Sequence, residues 1–222
     1  MNLSLLLEGP YDANGQMEAD LLNNIPFIQP YNASPYNYDG NEVLPFIPFD
    51  AIDWVLVEAR GGTPNLGGEK GTVTVESRAG ILRSNGSITD VNGNPLLFQN
   101  LDINQAYYFC VRHRNHLDVL SSTSFSGGSG IINYDFSSDV TQAFGLQQQK
   151  VSSDGYALLH AGDFNQDGII QNTDNDAWMN EPALLNVYSS LDANLDGLVQ
   201  VTDFDAWFLN KAKVGSVEIG YD

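Results

Sequence analysis

Residues 163–174 read DFNQDGIIQNTD, and residues 192–203 read DANLDGLVQVTD. Both stretches place oxygen-bearing side chains at positions 1, 3, 5, 9 and 12 and a glycine at position 6. Calcium takes about six to eight oxygen ligands, alternate residues of a tight loop point inward, and position 7 supplies a backbone carbonyl. Glycine at position 6 permits the sharp bend. We therefore predict two Ca²⁺ sites. The predicted ligands are Asp163, Asn165, Asp167, Ile169, Gln171 and Asp174 in the first loop and Asp192, Asn194, Asp196, Leu198, Gln200 and Asp203 in the second.

Each loop is followed by the same helix-forming signal. Residues 173–178 read TDNDAW, and residues 202–207 read TDFDAW. Threonine is a favourable N-cap, and acidic side chains in the first turn are stabilised by the helix dipole. We therefore predict a helix after each loop, capped by the threonine, with Trp178 and Trp207 packed in one small core.

The two loops are also expected to touch each other. Position 8 is apolar in both, with Ile170 in the first loop and Val199 in the second, and we expect a short β-contact between these residues. The repetition favours calcium over ordinary acidic turns, and it favours calcium over magnesium, which demands tighter octahedral geometry. The partial patterns at residues 12–15 and 90–93 lack the rest of the loop and are predicted to be turns.

Before the loops, the chain consists of short β-prone runs separated by Gly, Asn, Asp, Pro and Ser. Strands at this spacing indicate an antiparallel sandwich, and the Asn-Gly pairs at 85–86 and 92–93 indicate tight turns. We read 86–90, 97–98 and 107–111 as neighbouring strands of a meander. The predicted strands are 3–8, 52–59, 71–77, 81–83, 96–99, 106–112, 117–121, 131–136 and 156–160.

The predicted fold class is mainly β: an antiparallel Greek-key β-sandwich, resembling prealbumin-like or Ig-like modules, followed by a small α pair of calcium loop-helix motifs. We assign residues 1–158 to the sandwich, residues 159–210 to the calcium-binding pair, and residues 211–222 to a tail. The tail alternates over 214–221 like a strand. It is expected to close a sheet edge in its own chain or to add to the sheet of a neighbour.

A long insertion at residues 9–50 interrupts the strand rhythm. It contains a short helix candidate at 17–23 and then a segment rich in Pro, Tyr, Asn and Phe. Flat rings stack on sugar faces, so Tyr31, Tyr36 and Tyr38 are candidate ligand-binding residues. The alternative is that the segment folds over a sheet edge and buries its own rings.

Composition limits the partners. The chain has 222 residues, a formal net charge of -19 and 42% hydrophobic residues, so its acidity belongs to a folding chain. Such a surface repels phosphate backbones and anionic lipid, so we expect no nucleic acid partner. The sequence has no apolar run long enough to cross a bilayer, which predicts no membrane insertion. Cys110 lies in an apolar stretch and is expected to be an inert core thiol.

The sequence gives only weak indications of any other metal site or of catalysis. His113 and His116 form the histidine cluster, and in a strand their rings would point to opposite faces, which argues against a shared metal. Arg112 and Arg114 are expected to pair with acids such as Asp53 or Glu58. The Gly/Ser-rich stretches match neither a nucleophile elbow nor a phosphate loop, so we predict that the chain is not an enzyme.

The tandem loops resemble the dockerin repeat, the calcium-binding module that plugs into a cohesin in cellulosomes. The match covers about residues 161–210, and it departs at position 9, which is Gln in both loops where dockerins usually carry Asn or Asp. The Asn172-Thr173 and Val201-Thr202 pairs only partly resemble the Ser-Thr pairs that face cohesin. That departure weakens the expectation of cohesin capture.

The whole chain is also similar to a C-terminal region of large secreted or cell-surface Bacteroidetes proteins that is described as hemagglutinin-like or dockerin-like. That resemblance implies an extracellular, secreted sandwich fused to a calcium-binding pair, with no established catalytic activity. It is carried by the residues at 7–9 and 11, 29–32, 35–38, 53–58, 111–117, 134–136 and 161–163.

These observations predict a non-catalytic, calcium-stabilised structural or adhesion module of a bacterial cell surface, which assembles with other modules or with copies of itself into a fibre or surface layer. One alternative is a carbohydrate-binding module that takes polysaccharide on the aromatic segment 31–49. Another is a dockerin that binds a cohesin-like partner.

Overall fold

The computed structural model describes residues 1–67, 69–181 and 183–219. This part of the chain is mainly β, as the sequence predicts, and its two α-helices follow the two acidic loops. The strands are β1 (Asn2–Ser4), β2 (Leu6–Leu7), β3 (Ala51–Gly62), β4 (Thr72–Arg83), β5 (Ser87–Thr89), β6 (Ala106–Arg112), β7 (Val119–Leu120), β8 (Phe125–Ser126), β9 (Asn133–Asp135), β10 (Gln149–Val151), β11 (Ala157–Leu159), β12 (Leu184–Leu185) and β13 (Leu198–Val199), and the helices are α1 (Asn172–Asn180) and α2 (Val201–Asn210).

The long β3–β4 hairpin forms the centre of the larger sheet. Eleven of the twelve residues of β3 are buried, as expected for an apolar run covered on both faces. The strand order is β7-β6-β3-β4-β5-β1-β9, and β8 also pairs with β6. All of these pairings are antiparallel except β1 with β9.

The first strand of the chain is shared between two sheets. The predicted single strand at 3–8 is instead two short strands, because β1 joins the larger sheet and β2 joins a three-stranded sheet of order β10-β11-β2. Leu5, between them, is fully buried, and its N–H donates to the carbonyl of Gly86 at 2.9 Å. β2 runs parallel to β11, so the start of the chain ties the two sheets together.

The predicted meander is wrong. β5 pairs with β4 and β1, whereas β6 pairs with β3, so the two are not neighbours. Residues 96–99 form no strand. Side chains hold this segment instead: the Glu76 carboxylate accepts the N–H groups of Gln99 and Asn100, and Arg78 Nε donates to the carbonyl of Leu97 at 3.2 Å.

The helix candidate at 17–23 is also wrong, because these residues form a bridge and turns. Met17 bridges Tyr11, its N–H donates to the carbonyl of Ser84 at 2.8 Å, and its sulfur accepts the N–H of Leu7 at 3.3 Å. Helices this short are marginal on their own, and here tertiary contacts take the backbone groups.

The described residues form two main hydrophobic cores and a small third one of Cys110, Leu120 and Ile219. The larger core lies between the sheets and the insertion, and it includes Trp54, Tyr31 and Phe136. The smaller core lies under α1 and α2, but it also contains Leu117 and Ala161 from the β part. The helical region is therefore packed directly on the sheets.

The tail does not form the predicted strand in its described part. Val214 makes one isolated bridge with Ile169, and Val217–Ile219 is a 3₁₀ helix. The tail packs against its own chain through the buried Glu218 carboxylate, which accepts the N–H groups of Asn65 (2.5 Å) and Thr72 (2.9 Å). Residues 220 and 221 of the predicted strand, and residue 222 of the tail, lie outside the described residues.

No helix in the described residues is long and apolar enough to span a membrane.

Candidate metal centre

The aspartate at position 1 closes both loops in the same way. Asp163 accepts the N–H groups of Asp167 and Gly168, both at 3.1 Å. Asp192 accepts those of Asp196 at 3.1 Å and Gly197 at 2.9 Å. The repeat in sequence is therefore a repeat in local structure.

The aspartate at position 12 joins each loop to its helix. Asp174 accepts the N–H of Asn165 at 3.0 Å through one oxygen and that of Gln171 at 2.8 Å through the other. Asp203 accepts the N–H groups of Asn194 and Gln200 at 3.3 and 2.8 Å. The short Asp side chain at this position thus spans from the loop to the first turn of the helix.

The predicted threonine caps are wrong by two residues. The N-caps are Gln171 and Gln200, and the position-12 aspartates act as the reciprocal capping partners. Thr173 instead lies inside α1, where its hydroxyl accepts a hydrogen bond from Asn165 Nδ2 at 2.8 Å.

Left-handed backbone bends the loops at two places. Gly168 and Gly197 have φ of +83° and +80°, as position 6 requires. Position 4 is also left-handed, with φ of +62° at Gln166 and +60° at Leu195, although neither residue is glycine. The surrounding hydrogen bonds hold this less favourable conformation in both copies.

The first loop brings three carboxylates into one cluster. Oxygens of Asp163, Asp167 and Asp174 all lie within 4.8 Å of one another, and this is the one such acidic group among the described residues. The second loop has the equivalent hydrogen bonds without meeting this spacing. At position 9, Gln171 and Gln200 point inward, each donating Nε2 to the position-5 carboxylate at 3.3 and 3.1 Å.

The electrostatics of both loops favour a positive charge. Burial, followed by the neighbouring Asp118 and Asp174, raises the pKa of Asp163 well above its usual range. Burial raises the pKa of Asp192 to about 7, and it also raises those of Asp174 and Asp203. In the absence of a cation these carboxyl groups hold protons more tightly than free aspartate does. The predicted donor set offers only oxygen atoms, and three of its six ligands in each loop are carboxylates, which fits calcium.

The expected β-contact between Ile170 and Val199 is wrong. The backbone of Ile170 pairs with the tail, donating to the carbonyl of Lys213 at 2.9 Å and accepting from Ala212 at 2.8 Å. Val199 lies in β13, which pairs with β12. Each loop therefore has its own pairing segment, since the chain between and after the helices folds back onto the loops.

The two tryptophans share one core, with Phe204 between them. The Phe204 ring centroid is 5.3 Å from each indole. Trp207 is buried, and its Nε1 donates to the carbonyl of Gln171 at 2.9 Å, whereas Trp178 is half-buried. The second helix is thus fastened to the first loop.

The segment 113–116 connects the loops to the larger sheet. Asn115 Nδ2 donates to the carbonyl of Asp192 at 2.5 Å, and the carbonyl of Arg114 accepts Gln166 Nε2 at 2.9 Å. The predicted ion pairs are confirmed: Arg114 Nε lies 2.7 Å from Asp53, and Arg112 Nε lies 2.6 Å from Glu58.

The histidine rings meet, contrary to the expectation of opposite faces, because residues 113–115 leave the strand. Gly9 N–H donates to His116 Nε2 at 3.1 Å, which places the His116 proton on Nδ1. That proton faces Asn115 Oδ1 at 2.8 Å and His113 Nδ1 at 3.2 Å. His113 therefore carries its proton on Nε2, 3.2 Å from Asp53 Oδ2. Burial lowers the pKa of both rings, in keeping with two neutral imidazoles.

The candidate aromatic ligand site is not formed by the three tyrosines. Tyr31 is fully buried, and its hydroxyl donates to the carbonyl of Trp54 at 2.7 Å. The half-buried Tyr36 donates to the carbonyl of His113 at 3.0 Å, and the buried Tyr38 donates to Glu42 at 2.5 Å. The segment buries these rings and presents no tyrosine stacking platform.

Two residues beside the loops have no signal in the sequence pattern. Asn115 reaches the second loop, and Asp118 lies close enough to raise the pKa of Asp163. Burial raises the pKa of Asp118 itself to about 6, although Arg112 Nη1 donates to its carboxylate at 2.8 Å. Folding alone brings these residues to the loops. Cys110, by contrast, is a buried thiol as predicted.

Comparison with known proteins adds little. No protein-family model and no curated protein matches the chain. Among solved structures, a chain of a C-terminal interface mutant of the type II Cohesin-X-Dockerin complex from Acetivibrio cellulolyticus is similar at a TM-score of 0.44 and 14% identity, over 96% of this chain and 96% of that chain. A likeness at that level carries no inference about function.

Proposed function

We propose that this chain is a non-catalytic, extracellular structural or adhesion module, in which a β-sandwich is stabilised by a dockerin-like pair of calcium loops. The observation that carries the proposal is the paired loop geometry. Two stretches 29 residues apart in sequence make the same closing hydrogen bonds, and one of them gathers three carboxylates within 4.8 Å.

Calcium would be held by the side chains at positions 1, 3, 5, 9 and 12 and by the carbonyls of Ile169 and Leu198. When bound, it supplies positive charge to buried carboxyl groups that otherwise retain protons. The remaining work belongs to the chain: Asp174 and Asp203 fix the loops to the helix starts, and Asn115 fixes the second loop to the sheet.

The junction supports a structural role. The loops rest on the segment 113–116, whose polar side chains connect them to β3. Neutralising the loops therefore stabilises the contact between the helical region and the sheets as well as the loops themselves. The three histidines are buried and engaged in hydrogen bonds, which supports the proposal that the module is not catalytic.

An extracellular location is consistent with this chemistry. Extracellular calcium modules work at Kd values of about 10⁻⁴ to 10⁻³ M, where loops of modest affinity remain occupied. The charge of -19 fits an exterior that stays solvated in saline surroundings.

The test is thermal unfolding in chelator and in calcium, at a calcium concentration about a hundredfold above the Kd. Each site contributes about 2.7 kcal/mol at a hundredfold excess of calcium over Kd. Two sites should raise Tm by roughly 10 to 20 °C in a chain of this size. Chelator should reverse the shift, and the same melting curve in both solutions would refute the proposal.

Assembly with another protein module is a second candidate, favoured by apolar side chains on the surface of α2. Val201, Phe208 and Leu209 are 62%, 49% and 71% exposed. Sedimentation velocity in calcium, with wild type and Leu209→Glu, tests association between copies. A sedimentation coefficient that rises with concentration in the wild type but not in Leu209→Glu would support association between copies. A wild type that stays monomeric at all concentrations would refute it.

A further inference from the structure

Arg114 has two hydrogen-bond donors with no acceptor. Its side chain is nearly fully buried, its Nε donates to Asp53 at 2.7 Å, and its guanidinium carbon lies 4.3 Å from the centroid of the Tyr188 ring. Nη1 and Nη2 are covered and have no acceptor among the described residues. Unpaired donors on a buried charged group are costly, so this arrangement requires an explanation.

Arg114 is one of the residues that line a cavity of about 190 Å³. The cavity lies between the aromatic insertion, the first loop and the residues that precede the second loop. Its polar and aromatic wall includes Ser34, Tyr36, Gln166, Tyr188 and Ser190. Polar groups from three separate parts of the chain thus converge beside an incompletely paired arginine.

The cavity has the size of one small ring. A protein cavity of about 150 Å³ accommodates benzene, so this one has room for a six-membered ring with substituents. The two Nη groups of arginine form a fork that matches the two oxygens of a carboxylate. The serine hydroxyls and the Gln166 amide oxygen are suited to ring hydroxyls, and the half-buried Tyr36 and Tyr188 to the apolar face of the ring.

The local charge permits an anion. Asp53 balances the Arg114 charge through Nε and leaves the fork unused. The general repulsion from the acidic surface is screened over about 8 Å at physiological ionic strength. The strongest local attraction therefore comes from Arg114.

The geometry points to a binding site for a small carboxylate that carries one six-membered ring, with Arg114 Nη1 and Nη2 donating to the two carboxylate oxygens. Because both nitrogens are covered in the ligand-free chain, binding requires a small displacement of the cavity wall. None of the predicted calcium ligands lines this site, although Gln166 belongs to the first loop, and the site is not the stacking platform expected from Tyr31, Tyr36 and Tyr38.

Calorimetric titration of the full chain with three probes tests the site: glucuronate, benzoate and glucose. Glucuronate and glucose have the same ring and differ in the carboxylate, so glucose should give no measurable binding. Binding of glucuronate identifies an acidic sugar as the class of ligand, and binding of benzoate identifies an aromatic acid. If neither acid binds, or if glucose binds as well as glucuronate, the inference is wrong.

Variants locate the binding. Ala33→Trp fills the exposed edge of the cavity while leaving Arg114 in place, and it should weaken binding at least about tenfold. Arg114→Lys keeps the charge but removes the fork, and it should do the same. Ser124→Trp, at an exposed serine elsewhere, is the matched control. If Arg114→Lys fails to fold, Ala33→Trp still tests the proposal, because an unchanged affinity for the acid in that variant would show that the cavity is not the binding site.

Titration in calcium and in chelator separates this inference from the calcium proposal. If the acids do not bind but calcium stabilises the chain, only the proposed carboxylate site is refuted. Acid binding in a chain that calcium does not stabilise would refute only the metal sites.

Discussion

Substitution of the aspartate at position 5 of each loop can distinguish a loss of metal binding from a loss of folding. Asp167 and Asp196 accept the N–H of the residue two positions on, at 2.9 and 2.8 Å, and they receive amide side chains on the other oxygen. Those amides can turn to suit a neutral neighbour. An asparagine can therefore replace either aspartate with little cost to the loop, while one unit of negative charge is lost.

We predict that Asp167→Asn and Asp196→Asn each remove about half of the stabilisation that calcium provides, because each affects one site. This loss amounts to about 2.7 kcal/mol at a hundredfold excess of calcium, and the double variant should lose nearly all of it. Chemical denaturation with and without calcium measures the effect. Asp90→Asn, in a turn that lacks the rest of the loop, is the control and should behave as wild type. Equal calcium responses in the loop variants and in this control would contradict the assignment.

At the level of single residues, the sequence predicts the two bent loops but not the residues that surround them. The alternating oxygens and the glycine specify a loop because they act within twelve consecutive positions. Asn115, Asp118 and Arg114 reach the loops only through tertiary packing. Local pattern cannot predict such contacts.

At the level of elements, the close contact between Gly9 and the second loop fixes where the helical region sits. A Cβ at Gly9 would lie 1.8 Å from the carbonyl oxygen of Ala193. We predict that Gly9→Ala lowers the free energy of unfolding by about 1 to 3 kcal/mol, because the backbone must move. Urea denaturation measures it, and Gly61→Ala, whose Cβ would meet nothing nearer than 3.4 Å, is the matched control. If both variants are equally stable, the contact is not tight.

The tail is also held at the loop end of the β3–β4 hairpin. The Glu218 carboxylate accepts the N–H groups of Asn65, Gly71 and Thr72 and the Thr72 hydroxyl. Burial alone would raise its pKa, but these donors outweigh burial and lower it.

We predict that Glu218→Gln destabilises the chain by about 1 to 3 kcal/mol, because an amide leaves buried N–H donors poorly paired. Hydrogen exchange at Gly71 and Thr72 should become faster. The exposed Glu69 of the same hairpin end provides the control, Glu69→Gln, which should leave exchange unchanged. Unchanged exchange in Glu218→Gln would show that the tail is held by other contacts.

Among the elements, local signals predict strands better than they predict partners. β6 has the predicted bounds of 106–112 because an apolar, β-branched and aromatic run specifies a buried strand. Its neighbour β3 lies far earlier in the chain, and nothing in either run encodes the pairing. The predicted meander is wrong because the sequence of a strand does not specify the strand with which it pairs.

For the whole molecule, protons should compete with calcium. Burial raises the pKa of Asp192 to about 7 in the folded, metal-free chain, compared with 3.8 for an ordinary aspartate. Between about pH 4 and 7 the metal-free folded state therefore binds protons that must be released when calcium binds. The stabilisation by calcium, measured as the difference between unfolding free energies in calcium and in chelator, should be small at pH 4 and increase up to about pH 7.

Taking this difference removes the contribution of the histidines. Their lowered pKa values make the folded state lose stability as pH falls below about 6.5, but they do so in both solutions. If the stabilisation by calcium stays constant from pH 4 to 7, the buried loop carboxylates do not hold protons in the metal-free chain.

The division of the first strand between two sheets has a consequence for biosynthesis. Leu6 and Leu7 pair with Leu158 and Leu159, and the Glu8 side chain contacts Asn210. Residues 6–8 therefore reach their partners only after those much later residues have been synthesised. At synthesis rates of about 5 to 20 residues per second, this segment stays without its partners for on the order of ten seconds. The side chains of Leu6 and Leu7 therefore remain accessible to chaperones during that time.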